Sequence, residues 1–405
     1  MNFRTPMRWP ETWKDPAVLE LLKGTAIDYL LLDKGPDFEA IRARAQQIGI
    51  EVGDPDRVPA GVEIVKGAWP GVQWSPGHGG GPTGAPWVDS NGWVIRLNRA
   101  LHPEVTAWID APPPPKTFIV ADSYLIAVAD SAAHGGRWII SLDTPLAQGL
   151  ATGNATSLTI WKRLTATAEF FAARKAWVDY VPVGVAGIVS DFAGDNEFFS
   201  HELLNLMARA GLHYRIVLKD RLSAGSFEGL RAISYTDATP PTADLRRQIL
   251  AFVESGGLLI AAPQWGEVEG TEVAGAPVTG YKVRAHGKGR IAVAEQDPAD
   301  PYAWAADAAL LVSHRYDLVR FWNSGAASSF YTMSPDRKKA LVHLLFFAER
   351  GPDSATVRIA GRYRAARAST VDNPKSSTLT VEAQADGVEV RLPQVSQYVA
   401  LELDV

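Results

Sequence analysis

The stretch Gly184–Leu218, GVAGIVSDFAGDNEFFSHELLNLMARAGLHYRIVL, alternates an apolar run, a helical pattern and a second apolar run. The apolar runs predict β-strands, and the 3.6-residue period of Glu197–Ala210 predicts a helix between them. A similar unit follows, in which the predicted helix Thr242–Ser255 ends at a glycine pair and leads into the predicted strand Leu258–Ala262. Strands joined by helices in this way predict a doubly wound, flavodoxin-like α/β domain over residues 181–280.

Residues 1–180 also alternate strand and helix patterns. The apolar run Ile27–Leu32 precedes the amphipathic stretch Asp37–Ile48, and a helix near Asp122–His134 leads into a strand at Trp138–Leu142. Parallel strands connected by helices build sheets or barrels. We count about five to seven strands, and about 180 residues is short for an eightfold barrel. The first domain is therefore predicted to be an irregular or truncated (β/α) barrel.

Residues 281–405 show a different sequence pattern, in which short stretches alternate apolar and polar residues with period two. Thr356–Ile359, Val388–Leu392 and Val399–Leu403 follow this pattern, and turn residues separate them. We predict a small C-terminal β-sandwich, preceded by linker strands and by a helix over Pro335–Glu349. Three domains suit a chain of 405 residues, because single cores stop growing near 250–300 residues.

Composition excludes several classes of protein. A net charge of −5 provides no basic field for nucleic acid, and no stretch approaches the length of a membrane span. The charged, proline-containing N-terminus does not resemble a secretory signal, so a cytoplasmic location is expected. The absence of cysteine excludes disulfides and thiolate chemistry. The eight histidines show no His-x-x-x-His spacing, so no zinc site is predicted. No cofactor is expected.

The segment Gly184–Leu218, together with ILAFVESGGLLIAAPQWG at Ile249–Gly266, resembles the class I glutamine-amidotransferase-like domain of three-domain microbial β-galactosidases. The order of barrel, amidotransferase-like sheet and small β-domain also matches that family, so the resemblance covers nearly the whole chain. It implies a glycosidase-like architecture. It also implies that the second domain mediates self-association into a homo-oligomer, with a trimer as the state that the family suggests.

Two catalytic signatures do not carry over from these families. Amidotransferases place a cysteine in the turn that here reads Pro263–Trp265, and this chain has no cysteine. The β-galactosidases carry an Asn-Glu pair at a barrel strand end, whereas the only such pair here is Asn196–Glu197, in the second domain. The resemblance therefore does not transfer the family's catalytic pair.

Aspartates at strand ends are the best candidates for chemistry. The predicted strands that they follow would bring Asp33, Asp110, Asp143 and Asp191 to carboxyl ends, where barrels and open α/β sheets form their sites. Glycoside cleavage needs two carboxyl groups, and we predict Asp110 and Asp143 as that pair. The alternative is capping, since Asp143 followed by Thr144 and Pro145 is typical of a helix start.

Tryptophans and glycines concentrate in a long loop after the predicted strand Val62–Val65. Residues 69–82 form a Gly- and Pro-rich insertion, and residues 87–93 alternate indoles with hydrogen-bonding groups. An indole face stacks on the apolar face of a sugar ring while polar groups bind its hydroxyls. The alternative is that the indoles seal the end of the barrel. The predicted substrate-binding residues are Asp33, Trp74, His78, Trp87, Asp89, Asn91 and Trp93.

Acidic residues also crowd the first turn of the second domain. Asp191, Asp195 and Glu197 either reach across to complete the barrel's site or bind a cation, and the alternative is that they cap the following helix.

These patterns predict a glycoside hydrolase that acts on an oligo- or polysaccharide. Two alternatives stay open: a non-catalytic carbohydrate-binding or assembly protein on a glycosidase scaffold, and a polysaccharide lyase with His78 as base.

Overall fold

The structure is a computed structural model that describes residues 3–55, 57–75, 79–82, 88–223, 225–322, 324–348 and 354–405. Within these ranges, no helix is long and apolar enough to cross a membrane.

The first part of the chain builds two three-stranded parallel sheets that join edge to edge. One sheet has the order β1-β2-β3 and the other β4-β7-β8. Arg8 N donates to Ile140 O at 2.9 Å and Ile140 N donates to Pro6 O at 3.0 Å, which links the two sheets. The result is a barrel-like wall of six parallel strands, fewer than the eight of a full barrel. The strands are β1 (Pro6–Arg8), β2 (Tyr29–Leu31), β3 (Glu51–Gly53), β4 (Val62–Lys66), the hairpin β5 (Val72–Ser75) and β6 (Gly79–Pro82), β7 (Thr106–Asp110) and β8 (Arg137–Trp138).

Strand alternation separates the inside of this wall from its outside. Tyr29, Leu31, Trp108 and Ile139 pack together as one buried cluster. Their neighbours in sequence point the other way and pack against the helices. The interior is therefore filled by side chains, and the Tyr29 and Trp108 rings meet edge to face at 5.1 Å. The helices are α1 (Glu39–Gln47), α2 (Gly92–Leu101), α3 (Ala121–Ala133), α4 (Thr144–Ala151) and α5 (Ala155–Ala172).

A seven-stranded sheet forms the middle of the chain, with the order β11-β10-β12-β13-β16-β15-β14. Its first five strands are parallel, in the order of a flavodoxin-like sheet. Strand β15 pairs antiparallel with β16, and β14 pairs antiparallel with β15. The predicted boundary at residue 280 falls inside this sheet. The short strand β9 (Val181–Pro182) precedes this sheet in the chain and does not belong to it. The elements of this part are β10 (Ala186–Ser190), α6 (Glu197–Arg209), β11 (Tyr214–Leu218), β12 (Ala232–Tyr235), α7 (Ala243–Glu254), β13 (Leu258–Ala261), β14 (Thr271–Glu272), β15 (Tyr281–His286), β16 (Gly289–Ala294) and α8 (Pro301–Val312).

Two antiparallel sheets end the chain and share one buried core. The four-stranded sheet has the order β17-β20-β24-β23, and the six-stranded sheet has the order β22-β21-β25-β19-β18-β9. The short strand β9 thus ties the link after the barrel into the C-terminal sheet. The strands are β17 (Val319–Trp322), β18 (Ala327–Met333), β19 (Lys339–Phe346), β20 (Ala355–Ala360), β21 (Ala365–Thr370), β22 (Ser377–Leu379), β23 (Val381–Ala383), β24 (Gly387–Leu392) and β25 (Tyr398–Asp404).

The prediction of a helix over Pro335–Glu349 is wrong, because β19 occupies most of that stretch. The strand is buried on both faces. Ala340, Val342, Leu344 and Phe346 face the core between the two sheets. Leu341, Leu345 and Phe347 instead pack with Ile126 and Phe170, which belong to the barrel's helices.

Candidate functional site

A cavity of about 900 Å³ opens at the carboxyl ends of β4 and β7. This is the end at which barrel folds form their sites, because loops after the strands meet there. Its lining residues are Ile64, Lys66, Gly67, Ala68, Trp69, Gly71, Val72, Trp74, Asp89, Asp110, Ala111, Pro112 and Pro114.

Asp110 is the last residue of β7 and reaches this cavity from its floor. Arg8, the last residue of β1, donates from Nη2 to Asp110 Oδ2 at 2.8 Å. Asp110 Oδ1 and Arg8 Nε are both buried and have no hydrogen bond to any described residue. Buried polar atoms are nearly always paired, so these two atoms are exceptions at the edge of the cavity.

Two tryptophans shape the wall of the cavity in different ways. Trp69 is buried and meets the rings of Tyr124 and Trp138 edge to face at 5.1 and 4.9 Å. Trp74 lies on the hairpin β5-β6 and is 40% exposed. Its ring rests on the backbone of Gly80, where an added Cβ would come within 2.7 Å of it. Trp69 is therefore part of the core, whereas Trp74 offers an open indole face.

Contacts with Phe347 and Asn91 hold the loop that carries these tryptophans. Gly71 has a φ of 61° and lies so close to Phe347 that an added Cβ would approach its ring to 2.6 Å. Asn91 holds the same loop, because its side chain accepts from Ala68 N and donates to Ala68 O, both at 2.9 Å. Asn91 is buried, so it positions the cavity wall instead of lining the cavity.

Asp89 is the second carboxylate that lines the cavity. It forms an ion pair with Arg209 and accepts a hydrogen bond from Asn205 Nδ2 at 3.1 Å. Both partners belong to α6, so the second domain does reach the edge of the barrel's cavity. It does so through the end of that helix, and not through the acidic residues at its start.

Asp143 lies in a different environment from Asp110. It is 3% exposed and is the N-cap of α4, where its Oδ1 accepts from Leu146 N at 2.8 Å. Its Oδ2 accepts from Ile119 N at 2.9 Å and from Tyr124 Oη at 3.0 Å. Both oxygens are therefore engaged in structure, as the capping alternative predicts, and Asp143 is not among the residues that line the cavity.

The other predicted binding residues are dispersed. Trp93 faces α6, with its ring 5.4 Å from that of His201. Asp33 follows β2 and is partly exposed, but it does not line the cavity. His78 and Trp87 lie outside the described residues.

Of the acidic residues of the second-domain turn, Asp191 belongs to a separate charge cluster. Asp191 and the buried Asp237 both pair with Lys219 Nζ, at 2.6 and 2.7 Å. Burial alone would lower the pKa of Lys219, but hydrogen bonds to the two carboxylates raise that pKa to about 12. Asp195 and Glu197 are exposed. In the described part of the chain, no three carboxylates or imidazoles are grouped so that they could hold a metal ion.

Sequence reasoning missed three cations near the cavity: Arg8, Lys66 and Arg209. Arg8 ends a strand of only three residues, which is too short for periodicity to reveal. Lys66 ends a strand that was predicted, and a search for cations at strand ends would have found it. Arg209 approaches only through the packing of two domains, for which the sequence carries no local signal.

Comparisons with known proteins agree with this geometry at the level of fold. No protein-family model matches the chain, and neither does any curated protein. Among solved structures, α-L-fucosidase isoenzyme 2 from Paenibacillus thiaminolyticus is similar, with a TM-score of 0.54 and 12% identity, over 96% of this chain and 79% of that one. A rhamnosidase from a Novosphingobium species gives a TM-score of 0.50 and 12% identity, over 94% of this chain and 37% of that one.

The fold of this chain is therefore similar to the folds of these two glycosidases. At such low identity the likeness concerns the fold alone, and the substrates of the fucosidase and the rhamnosidase are properties of those proteins.

Proposed function

We propose that this chain is a glycoside hydrolase that binds an oligosaccharide in the cavity at the ends of β4 and β7. One observation carries the proposal: two carboxylates, Asp110 and Asp89, line the same cavity as the exposed indole of Trp74. Glycoside cleavage requires two carboxyl groups on either side of the scissile bond, and sugar rings bind on indole faces. In this proposal Asp89, and not the predicted Asp143, is the second carboxylate of the catalytic pair.

The surroundings of the two carboxylates suggest distinct roles. The Arg8 guanidinium holds one oxygen of Asp110 and stabilises its negative charge, which suits a nucleophile or a base that activates water. Asp89 lies on a loop at the rim, is more exposed than Asp110 and pairs with Arg209, so we assign it the place of the second carboxylate. Lys66 lies beside Asp110 in the strand register and is placed to bind a sugar hydroxyl.

The test is product release from a panel of oligosaccharides and aryl glycosides. We expect Asp110→Asn and Asp89→Asn each to lower kcat/KM by about a hundredfold or more, the lower range for loss of acid–base catalysis. We expect Trp74→Ala to weaken sugar binding by about tenfold through the lost stacking area. Asp372→Asn, an exposed aspartate of the C-terminal unit, is the matched control and should keep full activity. Full activity of Asp110→Asn on a cleaved substrate would refute the proposal.

A non-catalytic carbohydrate-binding protein is the second candidate, and a specific observation favours it. Asp143 is fully engaged as a cap, and arginines hold both carboxylates that do line the cavity. This alternative expects sugar binding by calorimetry that Trp74→Ala weakens, with no product released from any member of the panel.

A further inference from the structure

A second cavity, of about 220 Å³, lies where the three parts of the chain meet. Helix α2 of the barrel, strand β11 of the middle sheet, and strands β9 and β18 of the C-terminal sheet each contribute to its wall. The lining residues are Arg96, Arg99, Ala100, His134, Val181, Pro182, Arg215, Ile216 and Phe330. Three of these nine are arginines and none is acidic.

Two of these arginines, Arg96 and Arg215, donate hydrogen bonds to neutral backbone carbonyls. Arg96 donates to the backbone carbonyl of Tyr214, and Arg215 donates to the carbonyls of Ser226 and Glu228. The Nε of Arg215 is buried and has no acceptor among the described residues. Among the described residues, Asp179 attracts Arg99 and Glu228 attracts Arg215 through longer-range electrostatics.

Arg96 is held rigidly between aromatic rings. Its guanidinium carbon lies 4.0 Å from the centroid of the Tyr214 ring and 5.1 Å from that of Phe330. Stacking of this kind fixes the plane of the guanidinium before any ligand arrives. The positive field extends to the neighbouring His213, since burial and the charge of Arg96 lower the pKa of that imidazole to about 4.

Removing cations from water without counter-ions is costly. Burial lowers the pKa of Arg96, Arg99 and Arg215, which is the expected sign of poorly hydrated guanidinium groups. A buried charge is usually paired, and an anion in the cavity would supply the missing partner for all three.

We propose that this junction cavity binds a phosphate group, either as free phosphate or as part of a phosphorylated sugar. Planar guanidinium groups match the geometry of phosphate oxygens and bind them in pairs. Arg96 and Arg99 lie one turn apart on α2 and Arg215 comes from β11, so a phosphate held among them would bridge two parts of the chain. This site is separate from the carbohydrate cavity and does not depend on hydrolysis there.

Thermal unfolding of the full chain tests the proposal. Wild type is compared in inorganic phosphate, glucose 6-phosphate, glucose and sodium chloride, all at one ionic strength. We expect phosphate or glucose 6-phosphate, but neither glucose nor chloride, to raise Tm, because a ligand that binds only the folded state stabilises it. If inorganic phosphate and glucose 6-phosphate both raise Tm, free phosphate is sufficient for binding. If only glucose 6-phosphate raises Tm, the site binds a phosphorylated sugar.

Variants separate a binding role from a structural one. Arg99→Gln should need about tenfold more phosphate for the same rise, through loss of one charged hydrogen bond. Arg247→Gln, an exposed arginine on α7, is the control and should respond as wild type. A purely structural Arg99 predicts a lower Tm in every buffer with an unchanged phosphate increment, and that result would overturn the proposal. If Arg99→Gln does not fold, calorimetric titration of phosphate into wild type and Arg99→Lys decides, and absence of binding heat refutes the site.

Discussion

Replacing Asp143 by alanine tests whether this residue serves the fold or the chemistry. The carboxylate caps α4 and also accepts from Ile119 N and Tyr124 Oη. Loss of an N-cap costs about 1 kcal/mol. Each buried donor left without an acceptor costs about 1–3 kcal/mol more. With two such donors, the alanine variant should therefore lose about 3–7 kcal/mol of unfolding free energy.

Urea unfolding followed by tryptophan fluorescence measures this loss, because most of the indoles lie in the barrel. Asp143→Asn should fall between alanine and wild type. Its carbonyl can still cap Leu146 N, but its amide would point a donor at the Ile119 N–H. Asp372→Ala, an exposed control, should stay within about 0.5 kcal/mol of wild type.

The reasoning would be refuted by a particular pair of results. If Asp143→Ala unfolds at the wild-type urea midpoint and also abolishes glycoside cleavage, the capping network contributes little and the carboxylate acts in catalysis. A large loss of stability in the alanine variant, with activity retained by the fraction that folds, supports the structural role instead.

Two further predictions concern buried charge. Lys219→Met leaves the buried Asp237 without its cation and should lower the unfolding free energy, measured in urea, by about 3–5 kcal/mol. Lys219→Arg should keep most of the stability. A loss below about 1 kcal/mol in Lys219→Met would contradict the prediction. Burial lowers the pKa of His213 to about 4 and that of His343 to about 3, from an ordinary 6.5, so as pH falls below about 6.5 the unfolded chain takes up protons first. Stability should be complete above that pH and decline toward pH 4, by up to about 1.4 kcal/mol per pH unit for each group. His213→Gln should flatten the plot of urea midpoint against pH, and an unchanged slope would count against it.

Much of the fold could be predicted from local patterns. Helices such as α2 and α7 carry an apolar stripe, and the strands of the middle sheet are short apolar runs bounded by turns. The helix predicted over Pro335–Glu349 failed for a physical reason. Strand β19 is apolar on both faces because it separates two cores, so it lacks the alternation that distinguishes a strand from a buried helix.

The candidate site was harder to predict than the fold. The sequence predicted Asp110 as a catalytic residue and Asp89 and Trp74 as substrate-binding residues, and all three line one cavity. It could not separate Asp110 from Asp143, because both follow apolar strands. The difference arises from tertiary contacts. Tyr124 and Ile119 donate hydrogen bonds to Asp143, whereas Asp110 lines the cavity.

Because strand β19 is buried on both faces, it limits where the chain can be cut into domains or joined to domains of other proteins. Leu341, Leu345 and Phe347 complete the outer layer of the barrel, while β9 carries the chain from the barrel into the same C-terminal sheet. A barrel excised at residue 180 would present Ile126 and Phe170 to solvent and should aggregate. Domain exchange within this architecture is therefore expected to succeed only when barrel and sandwich are inherited together.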